Sequence, residues 1–203
     1  NGCELRNAAD NVRSGIISYL GHDPELFNDS VRNNVLLGDD YDVFEYLRVV
    51  CMDKEVEAME QGADTIIGSE GIRLSGGQAQ RIALARTLCH KKLVLVLDDP
   101  FSALDRNTEE QIYKKLKDMA SDNIVILISH RLYMFPKMDK VIWMDAGMVN
   151  VGTHKELMLE CPGYRKMYET VSVEECRAVE TENEGLAAAK VVENSRRVVD
   201  KHE

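Results

Sequence analysis

Asp98 and Asp99 stand together at the end of the apolar run Leu93-Val94-Leu95-Val96-Leu97, the pattern of a buried strand closing on two carboxylates. A carboxylate there can hold magnesium, usually through water, and a second beside it can polarise an attacking water. The same pair can equally cap the following turn. Ser75-Gly76-Gly77-Gln78 opens a helical pattern. Its unpaired backbone N–H groups, with glycines permitting close approach, make an anion site, and the helix dipole adds about 0.3–1 kcal/mol per exposed anionic group. A serine N-cap after a loop is the plainer alternative. His130 follows a second apolar run, Ile124–Ile128, where it can donate to a phosphate oxygen at the strand tip or be structural.

These groups need elements to hold them. Ile16–Leu20, Leu93–Leu97 and Ile124–Ile128 read as buried strands, and Pro100 stops the second from continuing. Asn28-Asp29-Ser30 offers an N-cap for a helix from Val31, and Asp42 to Met59 carries the period of two amphipathic helices. A loop punctuated by Gly68, Gly71, Gly76 and Gly77 leads into a helix from Gln78 to His90. Ser102–Asp105 is a loop before a charged helix, Asn107–Met119. Val141–Met144, the turn Asp145-Ala146-Gly147 and Met148–Val151 form a β-hairpin, and Thr153–Tyr168 is helical with an interruption at Pro162-Gly163. Val171–Glu203 loses aromatics and periodicity and reads as a charged tail. Apolar strands alternating with helices predict an α/β fold whose parallel sheet is covered on both faces, with ligands at the carboxyl ends of the strands. Asp98, Asp99 and His130 all fall at such ends.

The 203 residues suit one domain, or one and a fragment. A formal charge of −10 argues against a general nucleic-acid surface but not against nucleotide binding. Five scattered cysteines (Cys3, Cys51, Cys89, Cys161, Cys176) give neither a disulfide framework nor a zinc site, which fits a reducing, cytosolic setting. No apolar run is longer than a strand, and the chain starts at Asn1-Gly2 without a methionine, which suggests a fragment.

Taken together, Leu74–Gln78, Gln80–Arg86, Leu95–Asp98, Ser102–Asp105, His130 and Ile17–Pro24 resemble, in order and spacing, the nucleotide-binding domain of ATP-binding-cassette (ABC) transporters. The matches are to the LSGGQ signature and its helix, the Walker B strand, the D-loop, the switch histidine and the Q-loop region. Leu26–Asn34 continues in the style of exporters. The resemblance covers about Asn1 to Tyr168. It implies a partial P-loop NTPase (ABC ATPase) fold over 1–170, with an inserted helical and signature subdomain over about 24–90 and the tail over 171–203.

It also implies a function. Two such domains pair head to tail around ATP and Mg2+, and Ser75, Gly76, Gly77 and Gln78 grip the γ-phosphate of the partner's ATP. Asp98 serves magnesium through water, Asp99 the attacking water, His130 the γ-phosphate, and Asp105 communication across the interface. The whole is expected at the cytoplasmic face of the cell membrane, driving a transmembrane domain missing from this chain.

The chain departs from the family pattern in several places. No GxxxxGK[ST] phosphate loop occurs, so truncation before that loop and an inactive isolated fragment are expected. Asp99 stands where the family has a catalytic glutamate, and His22 occupies the Q-loop glutamine position. Ala79 replaces an arginine, and Ser69 stands near where an acidic residue is usual. An aspartate at the base position recurs in heterodimeric exporters, so the chain is expected to be the degenerate-site half of a heterodimer that donates an intact signature. Alternatives are a soluble, non-transport ABC ATPase and a non-catalytic regulatory cassette.

Overall fold

The computed structural model describes residues 4, 7–69 and 71–170. Asn1-Gly2 and Val171–Glu203, the stretch expected to be a charged tail, lie outside these residues. The chain divides into two units between Ser129 and His130.

The first unit opens with α1 (Asp10–Ile16), which runs directly into β1 (Ile17–Leu20). After a loop come β2 (Asp29–Ser30), α2 (Val31–Leu36), α3 (Val43–Val49), α4 (Asp53–Glu57) and β3 (Ile66–Ile67), with β2 and β3 antiparallel. Ser30 caps α2 by accepting from the Asn33 N–H at 3.0 Å, and Asp42 caps α3 through the Phe44 N–H at 3.0 Å. Val31, Val35, Leu47, Val50, Met52 and Val56 are fully buried, so these short helices are held by packing rather than by propensity. The unit continues through α5 (Gly76–Cys89), β4 (Val94–Asp98), α6 (Arg106–Met119) and β5 (Ile124–Ile128), with α2 and α3 packed on α5.

The strands pair in parallel in the order β1-β4-β5, the sheet that the apolar runs predict. Register places Ser18 beside Leu95 and Leu20 beside Leu97, and all four are buried. The opposite face carries Tyr19, Ile124, Ile126 and Ile128, each exposed. The expectation of cover on both faces is thus corrected: among the described residues the face of Ser18, Leu20, Leu95 and Leu97 is packed in β1 and β4, with Val125 of β5 exposed on it. The other face is open at Tyr19 and along β5 and half-buried at Val94 and Val96. Apolar side chains occupy both faces, mostly leucine on the packed one and isoleucine and valine on the other, so no polar alternation marks the difference in burial.

The second unit starts at His130 and passes through a 3-10 turn, Leu132–Lys137, to the hairpin of β6 (Val141–Asp145) and β7 (Met148–Gly152). Ala146 (φ 46°) and Gly147 (φ 80°) give its turn the twist of tight hairpins. Helix α7 (His154–Glu160) starts with a capping box between Thr153 and Glu156. The chain breaks at Cys161, the residue before Pro162, and is helical again over 162–170. Tyr164 is fully buried in this unit, its hydroxyl 2.7 Å from His154 Nδ1.

Candidate functional site

Helix α5 starts two residues before the apolar pattern suggests, because Ser75 is its cap. The Ser75 Oγ accepts from the Gln78 N–H at 3.2 Å, and the Gln78 Oε1 accepts from the Ser75 N–H at 2.9 Å. The other end of the Gln78 amide donates to Glu55 of α4 at 2.8 Å. Glu55 also meets Arg81 at 2.8 Å, and Arg81 donates to the Cys51 carbonyl at 2.8 Å. Burial raises the Glu55 pKa, but the hydrogen bonds from Gln78 and Arg81 and the Arg81 charge outweigh it, so the net value falls below the ordinary 4.5. The Gln78 side chain is thereby engaged within its own unit. Ser75 and Gly76 are exposed, and a Cβ built on Gly76 would meet nothing within 4 Å, so the helix start is open to an incoming anion. Gly77 is different: a Cβ there would lie 2.8 Å from the Ala103 carbonyl oxygen. Glycine is required by that approach to the 102–105 loop.

The two carboxylates at the end of β4 have distinct surroundings. Asp98 is half-buried, with Oδ2 3.3 Å from the Tyr19 hydroxyl. Asp99 is buried and has left its strand for the left-handed region, φ 47°, where aspartate is among the more tolerant side chains. Its N–H donates to the Ile128 carbonyl at 2.8 Å. His22 Nδ1 lies 3.8 Å from Asp99 Oδ2, an ion-pair separation beyond hydrogen-bond reach. The two main departures from the family pattern therefore face each other. Asp105 caps α6, accepting from the Thr108 N–H at 3.0 Å and its hydroxyl at 2.6 Å, and these bonds hold its carboxyl below its ordinary 3.8. His130 is exposed and begins the second unit.

With this geometry in hand, residues 1–102, half of the 203, match the sequence family described as "ABC transporter". The chain belongs to that family. It is 36% identical over 171 residues to an ATP-dependent lipid A-core flippase of Alcanivorax borkumensis, covering 81% of this chain and 28% of that protein. It is 35% identical over 163 residues to P-glycoprotein 14 of Caenorhabditis elegans, covering 78% of this chain and 12% of the relative. A solved bacterial Atm1-family ABC exporter with ATP bound superposes with a TM-score of 0.71 at 30% identity, over 77% of this chain and 28% of that one. The chain thus spans little more than a quarter, or less, of the length of these relatives. The exporter-type ABC ATP-binding domain expected from the motifs, and its α/β fold with a parallel sheet, are the ones observed.

ABC domains work on ATP, generally with magnesium. Among the described residues no group of three or more His, Cys, Asp and Glu side chains converges to hold a metal directly. Asp98, a half-buried carboxylate at the end of β4, would suit a magnesium ion held through water, which would screen phosphate charge. A groove lined by Pro24, Leu26, Gly68, Ser69, Arg73, Leu74 and Ala79 adjoins the signature loop and contains neither Asp98 nor Asp99.

Sequence reasoning overlooked Glu55, Tyr19 and Gln80. Gln80 is buried on α5, with its side-chain amide against the backbone of Asp99 and Ala103. Its position gave a signal: Gln80, Ala83, Leu84, Thr87 and Leu88 form one helical stripe, and a polar residue inside such a stripe needs a partner.

Proposed function

We infer that this chain supplies the ATP-binding and hydrolysing portion of an exporter and acts as one of two unlike domains that pair head to tail around ATP. The observation that carries the reading is the start of α5, where Ser75 and Gly76 stand open to solvent while Gly77 rests on the Ala103 carbonyl. An N-terminus so exposed and so fixed suits a phosphate brought by another domain.

The chain's own groups divide the work. The Ser75 hydroxyl and the N–H groups of Gly76 and Gly77 bind the γ-phosphate of the partner's ATP, with Gln78 securing the helix start. Asp98 would hold magnesium through water; when bound, that ion screens the phosphate charge. Asp99 accepts the proton of the attacking water, His130 donates to the γ-phosphate, and Asp105 relays the state of one site to the other. Aspartate withdraws the carboxylate from the glutamate position by one C–C bond, about 1.5 Å, and a shift near 1 Å can cost roughly a hundredfold. With His22 in place of the Q-loop glutamine, the chain's own site is the slower of the two. Its place is the cytoplasmic face of a membrane, beside a transmembrane domain; no helix of the described residues is long and apolar enough to cross one.

The test is a pair of variants in the full two-domain exporter. Gly77→Asp should remove most ATP turnover, because it puts a charge and a clash into the grip on the partner's ATP. Asp99→Asn should reduce turnover by much less. Equal losses would sink the asymmetric assignment.

A further inference from the structure

Helix α5 touches the turn after β4 at two points, and the second is the side-chain amide of Gln80. That residue is 3% exposed. Its Nε2 donates to the Asp99 carbonyl at 2.9 Å, and its Oε1 accepts from the Ala103 N–H at 3.3 Å. The Ser102 hydroxyl lies 3.1 Å from Nε2 and 3.2 Å from Oε1. A carbonyl at one end and an N–H at the other fix which way the amide points. The peptide units on both sides of Asp99 are thereby tied, through its N–H to Ile128 in β5 and through its carbonyl to Gln80 in α5. Asp99 adopts a left-handed conformation that a side-chain-bearing residue holds only when its surroundings determine it.

The same helix begins at Ser75, barely more than one turn before Gln80, and Gly77 rests on Ala103 in the same loop. A helix start that tilts toward or away from an anion must carry Gln80 with it. We propose that Gln80 is a positioning residue that links the signature end of α5 to the Asp99 carboxylate, so that a grip on the partner's ATP sets the geometry of the base in this chain's own site. The proposal rests on the reading of Asp99 as a base and of Ser75–Gly77 as the phosphate grip. It assigns Gln80 no contact with nucleotide.

The experiment uses the full-length exporter with its partner domain and compares wild type, Gln80→Leu, Asp99→Asn and the double variant. Amide hydrogen exchange across 99–104 should quicken at least tenfold in Gln80→Leu, with 94–97 unchanged. Turnover should fall by the same factor as in Asp99→Asn, with the KM for ATP unchanged within twofold. The double variant should lie within twofold of the slower single one, because Gln80 acts through Asp99. Losses that multiply, or unchanged exchange across 99–104, would overturn the proposal. If Gln80→Leu does not fold, Gln80→Glu keeps the volume and the acceptor for Ala103 but removes the donor to Asp99, and the same outcomes apply to it. Should Asp99→Asn leave turnover intact while exchange in the Gln80 variant still rises, the base reading of Asp99 fails and the mechanical link stands.

Discussion

In the role of base proposed for it, Asp99 balances reach against backbone comfort. Aspartate tolerates a φ of 47° better than most side-chain-bearing residues, and its carboxylate is correspondingly short. Asp99→Glu should therefore speed this chain's own site, by up to about a hundredfold if reach is the whole deficit. It should also destabilise the domain by about 1 kcal/mol through backbone strain. ATPase assays of the full exporter and thermal melts of the same variant read the two effects separately. Glu55 gives a prediction with a definite sign. Its folded pKa lies below the ordinary 4.5, so the native state holds its proton less tightly than the unfolded chain. The stability it contributes is complete above pH 4.5 and is lost as pH falls through the lower folded value. Melting temperatures of wild type and Glu55→Gln should differ at pH 7 and converge at acid pH; a gap that widens there would refute the assignment.

At the scale of elements, α5 organises its surroundings through Arg86 as much as through its start. The Arg86 guanidinium donates to the Asn34 carbonyl at 2.7 Å, to the Asn34 side chain at 2.8 Å and to the Glu25 carbonyl at 3.0 Å. It also lies 4.8 Å over the Phe27 ring. Burial lowers its pKa, yet arginine keeps its charge in proteins. Arg86→Met should cost about 2–3 kcal/mol, the worth of charged hydrogen bonds lost together, and Arg86→Lys should recover only part, since lysine cannot make the forked contact. Denaturant unfolding measures both. Gly71 is constrained more simply: a Cβ there would come within 2.3 Å of the Ile66 carbonyl oxygen.

The legibility of the sequence follows from this division. Ser75 announces itself as a helix cap because a serine ahead of a helical pattern suits one, and strands β1, β4 and β5 announce themselves because apolar runs persist. Gln80, Glu55 and Tyr19 act through neighbours brought by the fold, as do the two-residue strands β2 and β3. Of these only Gln80 leaves a trace, as a polar residue within the stripe it shares with Ala83, Leu84 and Leu88; the others look like ordinary polar or turn residues. The openness of one sheet face has no sequence signature for the same reason: an apolar side chain looks alike whether covered or not.

At the scale of the whole molecule, the 203 residues contain Ser75–Gln78 and Asp98-Asp99 but no lysine-bearing GxxxxGK[ST] phosphate loop. Purified alone, the chain is expected to show no appreciable magnesium-dependent ATP turnover; robust turnover would contradict the division of labour proposed above. Strand β5 adds a practical consequence. Ile124, Val125, Ile126 and Ile128 are all exposed, on a strand paired along one side only among the described residues. An apolar edge of this kind is a template for further strands. Handled at high concentration, the chain should grow into β-rich aggregates, and Ile126→Lys should raise the soluble yield by interrupting that edge with a charge.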